Sequence, residues 1–358
     1  MSNDETFMSR ALELAELGRL GVSPNPMVGA VVVRDGTVIA EGFHERAGQP
    51  HAEILALARG GDVRGATIYV TLEPCTHQGR TGPCAPEIVQ AGIRKVVVAT
   101  EDPNPRVDGK GIQLLRERGV EVVTDVLAER ARKVNEVFFH CQTTGRPFVT
   151  LKAGMTLDGK LATVTGESKW ITSESSRESS LRLREEHDAI LVGSGTVRQD
   201  NPHLTRRLGL NHSINPWVRV VLDGSREIPA SSHVLCDGGK TLLFTSRADR
   251  YRPSPGLEIV TSRGEKERIN LDRVLKALYE REIRSVLVEG GSALHSELIR
   301  ADLWQKMILF VAPTFMGGPE APSIFQGEGV ARLTDARRFR FDAVDRIGPD
   351  LRITSYRV

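Results

Sequence analysis

The stretch HAEILALARGGDVRGATIYVTLEPCTHQGRTGPCAPEIVQAG, residues 51–92, decides the fold of the first half of the chain. HAEILALAR (51–59) reads as a short helix, because its apolar positions recur at helical spacing. ATIYVTL (66–72) is apolar and β-branched and reads as a strand. APEIVQAG (85–92) returns to helix and stops at Gly92. Working outward, residues 5–19 carry Phe7, Met8, Ala11, Leu12, Ala15 and Leu17 as a helical stripe, which SPNP (23–26) ends. MVGAVVVR (27–34) reads as a buried strand, and Asp35–Gly36 as a hairpin turn into a second strand. Downstream, RKVVVAT (94–100) and VEVVTD are strands. GKGIQLLRERG (109–119) and residues 127–142 are helices. Strands separated by helices predict an α/β layer with a mostly parallel sheet, covered on both faces.

TTGRPF (143–148) reads as a linker. A second alternating segment follows. Its strands are FVTLKAG (148–154), AILVGS (189–194), WVRVVLDG (217–224), KTLLFTS (240–246), LEIVTS (257–262), RSVLVEGG (284–291) and KMILFVAP (306–313). Helices are expected near 174–186, 270–281 and 292–301. The expectation is two α/β domains, 1–145 and 147–358, in line with 358 residues at roughly 150 per domain.

Composition excludes several function classes. Lys plus Arg number 48 against 46 Asp plus Glu, so no global basic excess drives phosphate binding. Aromatic residues are 5%, too few for a base-stacking platform, so no nucleic-acid partner is expected. No run approaches the roughly 20 apolar residues that span a bilayer, and no membrane partner is expected. The N-terminal MSNDETFMSR lacks the apolar core of a secretory signal. Four cysteines are too few for a disulfide scaffold, so the expected setting is the cytoplasm.

The chemistry concentrates in His51-Ala52-Glu53 and Pro74-Cys75…Cys84. Zinc takes Cys sulfur and His nitrogen, and a catalytic site uses three protein ligands and leaves a fourth position for water. His51, Cys75 and Cys84 supply that set. Glu53, two residues from His51, can move a proton from water to a leaving amine without binding the metal. Zinc nucleobase deaminases carry H-x-E…P-C-x-x-C. Here eight residues, THQGRTGP, separate the cysteines instead of two. That loop brings His77 and Arg80, suited to a larger, charged substrate. The competing reading is a structural zinc site closed by a fourth ligand, for which His77 is available. Cys141 and Cys236 lie outside the constellation.

The second half has no G-x-G-x-x-G after its first strand. Two glycine-bearing turns, Gly193-Ser194-Gly195-Thr196 and Glu289-Gly290-Gly291-Ser292-Ala293-Leu294, follow apolar strands, and the second opens a helix. Backbone N–H groups at such a start can hold a pyrophosphate, although strand-to-helix turns use glycine in any case. Arg184, Arg206 and Arg207 could hold a phosphate or simply form a solvated charged face.

The runs SPNPMVGAVVV, GFHERAGQPHAE, EPCTHQGRTGPC and EDPNPRVDGKGI together resemble the bifunctional riboflavin-biosynthesis deaminase/reductase family. The resemblance continues through LKAGMTLDGKLAT, GESKWIT, DAILVGSGTVRQDNPHLTRR and VLVEGGSALHSELI, and is weakest over 225–280. It implies a cytidine-deaminase-like three-layer α/β/α domain followed by a dihydrofolate-reductase-like α/β domain. The first would deaminate a 2,5-diamino-6-(5-phosphoribosylamino)pyrimidinone. His51, Cys75 and Cys84 would hold Zn2+, Glu53 would shuttle the proton, and Asn25, His44, Arg80 and Asn104 would line the pocket. Asn25 suits a pyrimidine edge; His44 and Arg80 suit the phosphate.

The second domain would use NADPH to reduce the ribosyl group of the product to ribityl. Gly154, Trp170, Thr196, Asp200, Gly290, Gly291, Ser292 and Ala293 would contact the cofactor. Ser168, Arg184, Leu204, Arg207 and Glu289 would contact the substrate. Lys152 and Asp158 would line the pocket without an assigned proton-transfer role, and Arg247 is a candidate for the 2′-phosphate. The resemblance also implies a homo-oligomer. Two other readings are a single-activity zinc deaminase with a non-catalytic second half, and a zinc-stabilised nucleic-acid-binding protein, against which charge and aromatic content count.

Overall fold

A continuous apolar run such as Ala30–Val33 needs cover on both faces, and the structure, a computed structural model, supplies it. It describes residues 2–78, 81–224, 228–262 and 268–358. The chain divides into two compact units. One is Met1–Gly145 with Leu210–Asn215; the other is Arg146–Gly209 with Pro216–Val358.

The first unit runs α1 (Asn3–Glu16), β1 (Gly29–Arg34), β2 (Thr37–Phe43), α2 (Ala52–Arg59), β3 (Thr67–Val70), α3 (Cys84–Gln90), β4 (Lys95–Val98), α4 (Lys110–Glu117), β5 (Glu121–Val123), α5 (Ala128–Val134) and α6 (Glu136–Thr144). Its sheet has the order β2-β1-β3-β4-β5. Alternate residues of each strand face opposite sides. Ala30, Val32, Ile68 and Val70 pack with Ala52 and Ala56 of α2 and Ala85 and Ile88 of α3. Val31, Val33, Tyr69 and Val97 pack with Met8, Ala11 and Leu12 of α1 and Ala131 of α5. The result is the expected three-layer sandwich.

The mostly parallel expectation holds with one exception. β2, β3, β4 and β5 share one direction, but β1, inserted between β2 and β3, is antiparallel to both. The Asp35–Gly36 turn reverses the chain at once, and β2, α2 and β3 then form a crossover that straddles β1. The helix expected over 127–142 is two helices, because Asn135 leaves the helical path to pair with Met27. Its Oδ1 accepts the Met27 N–H at 2.8 Å and its Nδ2 donates to the Met27 carbonyl at 2.8 Å. Residues 210–215, read from sequence as part of the second domain, pack with the first unit. The His212 N–H donates to the Leu20 carbonyl at 2.7 Å, and the Ser213 hydroxyl to the Ser23 carbonyl at 3.3 Å.

The second unit runs β6 (Phe148–Thr156), α7 (Glu174–Glu186), β7 (Ala189–Gly193), α8 (Ser194–Asp200), β8 (Val218–Asp223), α9 (His233–Cys236), β9 (Thr241–Thr245), β10 (Leu257–Thr261), α10 (Leu271–Glu280), β11 (Ser285–Val288), α11 (Ser292–Arg300), β12 (Lys306–Ala312), β13 (Phe339–Ile347) and β14 (Asp350–Arg357). The strand order is β10-β9-β8-β7-β11-β6-β12-β14-β13, parallel from β10 to β12. Val274, Leu275 and Leu278 of α10 and Leu298 of α11 cover one face. Val197 of α8 and Val234 and Leu235 of α9 cover part of the other, which Leu183 of α7 completes. Sequence reading missed the antiparallel hairpin β13–β14, which extends the sheet at β12. In β13 most side chains are exposed, so the apolar signal of a buried strand is absent.

Candidate functional site

His51 caps α2, and Cys84 is the first residue of α3, so both ligand positions sit at helix starts. Gly42 lets α2 lie close on β2, since a Cβ there would come 2.5 Å from the Ala52 carbonyl oxygen. Cys75 lies in the loop after β3, where its carbonyl accepts the Ala85 N–H at 3.0 Å and its Sγ accepts the Cys84 N–H at 3.4 Å. The His51 Nδ1 is 3.2 Å from the Cys84 Sγ and 3.6 Å from the Cys75 Sγ. All three donor atoms lie within 4.8 Å of one another.

One imidazole and two thiols converging at this spacing fit a tetrahedral zinc ion with one open position. Among the described residues His77 does not join the cluster, which favours an open site over a closed structural one. Hydrogen bonding from Cys84, and then from His51, holds the Cys75 thiol well below the ordinary thiol range. Its bond to Cys75, then burial, pushes Cys84 up, so the two sulfurs behave as one shared-proton pair.

Glu53, on the first turn of α2, is 3% exposed, and its Oε2 has no hydrogen-bond partner. Burial pushes its carboxyl up to about 7. A carboxyl of that basicity can both take and give a proton near neutral pH.

Two further residues escaped the sequence reading. The Thr81 hydroxyl meets the His51 Nε2 at 3.0 Å, leaving Nδ1 for the metal, as partners behind metal-bound histidines do. Glu73 is 3% exposed and accepts four backbone N–H groups: Gly111 at 2.8 Å and Ile112 at 3.2 Å on Oε1, Gly109 at 3.0 Å and Asp102 at 3.2 Å on Oε2. It ties the start of α4 to the Pro74-Cys75 turn. Gly111 is obligatory there, because a Cβ would come 2.0 Å from the Pro74 carbonyl oxygen. The E-P-C run held the signal for Glu73, but its partners lie 29–39 residues away.

Of the expected pocket residues, Arg80 lies outside the described residues. Asn104 stands in the turn after β4, where its N–H donates to the Asp102 Oδ1 at 2.8 Å. Asn25 and His44 are together, with the Asn25 Nδ2 3.0 Å from the His44 Nε2. His44 is 2% exposed and its other nitrogen faces the Pro50 carbonyl at 3.1 Å. A buried ring with both nitrogens engaged does not fit the phosphate contact expected of it.

In the second unit the expected residues gather at the carboxyl ends of three adjacent parallel strands, where ligands of open α/β sheets bind. Gly154 is near the end of β6. Gly193 closes β7 and leads into Thr196 and Asp200 on α8. Glu289, Gly290 and Gly291 follow β11, with Ser292 and Ala293 opening α11. A Cβ on Gly193 or Gly291 would meet nothing within 4 Å, so both helix starts are open to a ligand. That openness fits dinucleotide phosphates. Trp170 is 70% exposed with the Arg177 guanidinium stacked 4.6 Å from its ring centre, and Ser168 precedes it on the loop from β6 to α7. Leu204 is buried and Arg207 exposed, both after α8. Arg247 follows β9 on the same edge.

Electrostatics joins residues that sequence had treated singly. Arg184 forks onto Glu289 at 2.8 and 3.0 Å, and the Lys152 Nζ lies 3.7 Å from the same carboxylate. Against the cost of burial, Lys152 and then Arg184 bring the Glu289 carboxyl down to about 2. Arg184 is therefore committed to a carboxylate, and also donates to the Thr205 carbonyl at 3.0 Å. Arg206 donates to the carbonyls of Arg184 and His187 and stacks on Trp217, so it braces the fold. Asp158, expected to line a pocket, clasps a loop instead. It accepts from the Thr156 hydroxyl at 2.6 Å and from the N–H groups of Met316 at 3.2 Å and Gly317 at 2.8 Å.

Comparison with known proteins agrees with both halves. Residues 1–100 match the cytidine and deoxycytidylate deaminase zinc-binding region, and residues 147–353 match the RibD C-terminal domain. The riboflavin biosynthesis protein RibD of Bacillus amyloliquefaciens is 43% identical over 98% of this chain and 96% of its own length. That of Escherichia coli is 36% identical over 97% of this chain and 98% of its own. A solved diaminohydroxyphosphoribosylaminopyrimidine deaminase/5-amino-6-(5-phosphoribosylamino)uracil reductase from Thermotoga maritima is 40% identical, covers 99% of both chains and has a TM-score of 0.88. Acinetobacter baumannii RibD, 36% identical with 99% coverage of both chains, also has a TM-score of 0.88. A zinc-type donor set, a nucleotide-type strand edge and likeness along almost the whole chain converge: this chain belongs to the RibD family of riboflavin biosynthesis proteins.

Proposed function

We propose that residues 1–145 deaminate 2,5-diamino-6-(5-phosphoribosylamino)pyrimidin-4(3H)-one and that residues 147–358 reduce the ribosyl group of the product to ribityl with NADPH. The observation that carries the first half is the convergence of His51, Cys75 and Cys84 beside the unpartnered Glu53 Oε2. Zn2+ held by those three residues supplies the Lewis acidity that makes water a nucleophile at neutral pH. Glu53 takes the proton released by the attacking water on Oε2 and delivers it to the departing amine. Of the two oxygens of this buried carboxyl, Oε2 has no competing hydrogen bond. Thr81 fixes the His51 ring, and Asn25 and Asn104 meet the pyrimidine.

For the second half, NADPH supplies the hydride, and the chain's part is placement and exclusion of water. Gly154, Trp170, Thr196, Asp200 and the 290–293 turn hold the cofactor, while Ser168, Leu204, Arg207 and the Arg184–Glu289 pair hold the substrate. The buried Lys152–Glu289–Arg184 group supports a working site over an inert second domain, since an unused cluster of charges at a strand edge costs stability. The chain acts in the cytoplasm as a homo-oligomer, a state that light scattering checks directly. Among the described residues no helix is long and apolar enough to cross a membrane.

The test is one trace. Zinc-loaded protein is given the diamino phosphoribosyl pyrimidine and NADPH, and NADPH oxidation is followed. Oxidation is expected with the native chain and not with Glu53→Gln, which keeps its zinc. Oxidation by Glu53→Gln would falsify the proton-shuttle assignment. No oxidation by either, with ammonia still released by the native chain, removes the reductase.

A further inference from the structure

An arginine inside an apolar strand needs a partner for every donor, because each one left bare in the interior costs free energy. Arg219, the one arginine of β8, is 3% exposed and meets that demand. Its Nε donates to the Thr241 hydroxyl oxygen at 2.9 Å. Nη1 and Nη2 fork onto the two Asp237 oxygens, each at 2.7 Å. Nη2 also donates to the Gly239 carbonyl at 2.7 Å, and Nη1 to the His203 carbonyl at 3.2 Å. Every N–H group of the guanidinium is thereby used. Gly239 makes the room, since a Cβ there would come 2.7 Å from Nη2. The bond to His203 leaves the strand for the 201–207 segment, which follows α8.

That segment is held in a conformation it would not keep alone. Asn201 and Leu204 have φ of 40° and 52°, in the left-handed region where residues other than glycine are strained. Such strain persists only where the surroundings fix it. The Asn201 Oδ1 accepts the His233 N–H at 2.9 Å, and the His203 ring stacks on the His233 ring with centroids 3.8 Å apart. The Leu204 carbonyl accepts the Trp217 Nε1 hydrogen at 2.7 Å, and the Thr205 carbonyl accepts from Arg184 at 3.0 Å. Arg184, Arg206 and Arg219 are all committed to partners within the unit. Arg207 is exposed and, among the described residues, has no ion-pair partner. We propose that Arg219 is a positioning residue for the reductase: by holding the His203 carbonyl it fixes the 201–207 segment, so that Arg207 is the cation left to meet the substrate phosphate. A cation aimed in advance saves the ordering cost that a mobile one would incur on binding. The proposal deepens the reductase assignment and rests on it for the identity of the substrate, but not for the hold of Arg219 on the segment.

Two measurements on the zinc-loaded full chain separate these. The first is NMR of the Trp217 indole N–H, its signal being the one lost in Trp217→Phe. Arg219→Lys keeps a cation beside Asp237 and loses the fork, while Gly239→Ala keeps Arg219 and displaces its guanidinium. In either variant the indole N–H, no longer facing a fixed Leu204 carbonyl, should exchange with water about tenfold faster or more. Native exchange in both variants overturns the proposal whatever the enzyme does. The second is NADPH oxidation with 5-amino-6-(5-phosphoribosylamino)uracil, arranged as a double-mutant cycle. Arg207→Ala and Arg219→Lys should each raise the KM for the uracil by about tenfold, the effect of one lost oriented contact, with the KM for NADPH within about twofold of native. Because Arg219 acts through Arg207, the double variant should match Arg207→Ala within about twofold. Independent effects, a KM about a hundredfold above native, show a merely structural residue and overturn the proposal, as does an equal rise in the KM for NADPH. Gly239→Ala takes the place of Arg219→Lys in the cycle if the lysine variant does not fold. If the native chain oxidises no NADPH, the reductase assignment fails, and the indole exchange still decides whether Arg219 holds the segment.

Discussion

Replacing Glu73 by Gln should loosen the zinc side of the first unit while leaving the second untouched. The side chain keeps its size and loses one acceptor. In the native chain Oε1 takes the N–H groups of Gly111 and Ile112, and Oε2 those of Gly109 and Asp102. Whichever way the amide turns, its NH2 group faces two of those donors. Each buried donor left without an acceptor costs about 1–3 kcal/mol, so the local penalty is about 2–6 kcal/mol. Hydrogen exchange reads this directly, because the amides of 109–112 exchange through local opening. A 2 kcal/mol loss already speeds them about 30-fold. The control is internal: Trp170, Trp217 and Trp304 all lie in the second unit, so tryptophan fluorescence in urea follows that unit. It should give the native midpoint, while far-UV circular dichroism shows an early loss. Less than tenfold faster exchange at 109–112 would refute the view that this carboxylate organises the turn.

Gly111→Ala puts a methyl 2.0 Å from the Pro74 carbonyl, so Cys75 must move, and elemental analysis should find well under one zinc per chain. A full zinc complement removes that steric account. Arg184→Met leaves the Glu289 carboxylate, whose side chain is 13% exposed, with the Lys152 ammonium 3.7 Å away. Breaking a buried pair costs about 3–5 kcal/mol, and Lys152 keeps the loss near the lower end, readable by tryptophan fluorescence. A change below 1 kcal/mol would mean that water already screens the carboxylate. His187 is buried with Nδ1 on the Leu183 carbonyl and Nε2 on the Thr150 hydroxyl, and burial brings its pKa down from 6.5 to about 4. The folded state binds this proton less readily than the unfolded chain. The contribution is therefore complete above about pH 6.5 and lost as pH falls towards 4, amounting to about 3 kcal/mol by linkage. His187→Gln should flatten that slope in second-unit unfolding; an unchanged slope refutes the assignment.

The convergence of His51, Cys75 and Cys84 was legible because metal chemistry restricts residue type, and these three have few other reasons to stand in such a pattern. Glu73 was not, since its partners are backbone amides that any residue supplies. His44 was read as a phosphate contact, but its buried imidazole meets the Asn25 amide and the Pro50 carbonyl, partners that only folding brings to it. The pairing of Arg184 with Glu289 was not legible either: a guanidinium suits phosphate and carboxylate alike, and only folding brings Glu289 to it. Helices and parallel strands with one or two apolar faces, such as α10 and β6, were readable almost to the residue. The exposed strand β13 was not, and neither was the place of β1 between β2 and β3, which depends on a crossover and not on its own residues.

Residues 210–215 have a consequence for synthesis. The chain passes between the two units three times, at 145/146, 209/210 and 215/216. The first unit therefore waits, during translation, for a piece encoded 70 residues beyond its main body. At about 5–20 residues per second that is a delay of about 4–14 s. Over that interval the Leu20 and Ser23 carbonyls lack the donors that His212 and Ser213 bring, and β6 and β7 have already emerged. Maturation of the two halves is interleaved on the ribosome, and a gene cut once between them yields a first half that lacks its last six residues.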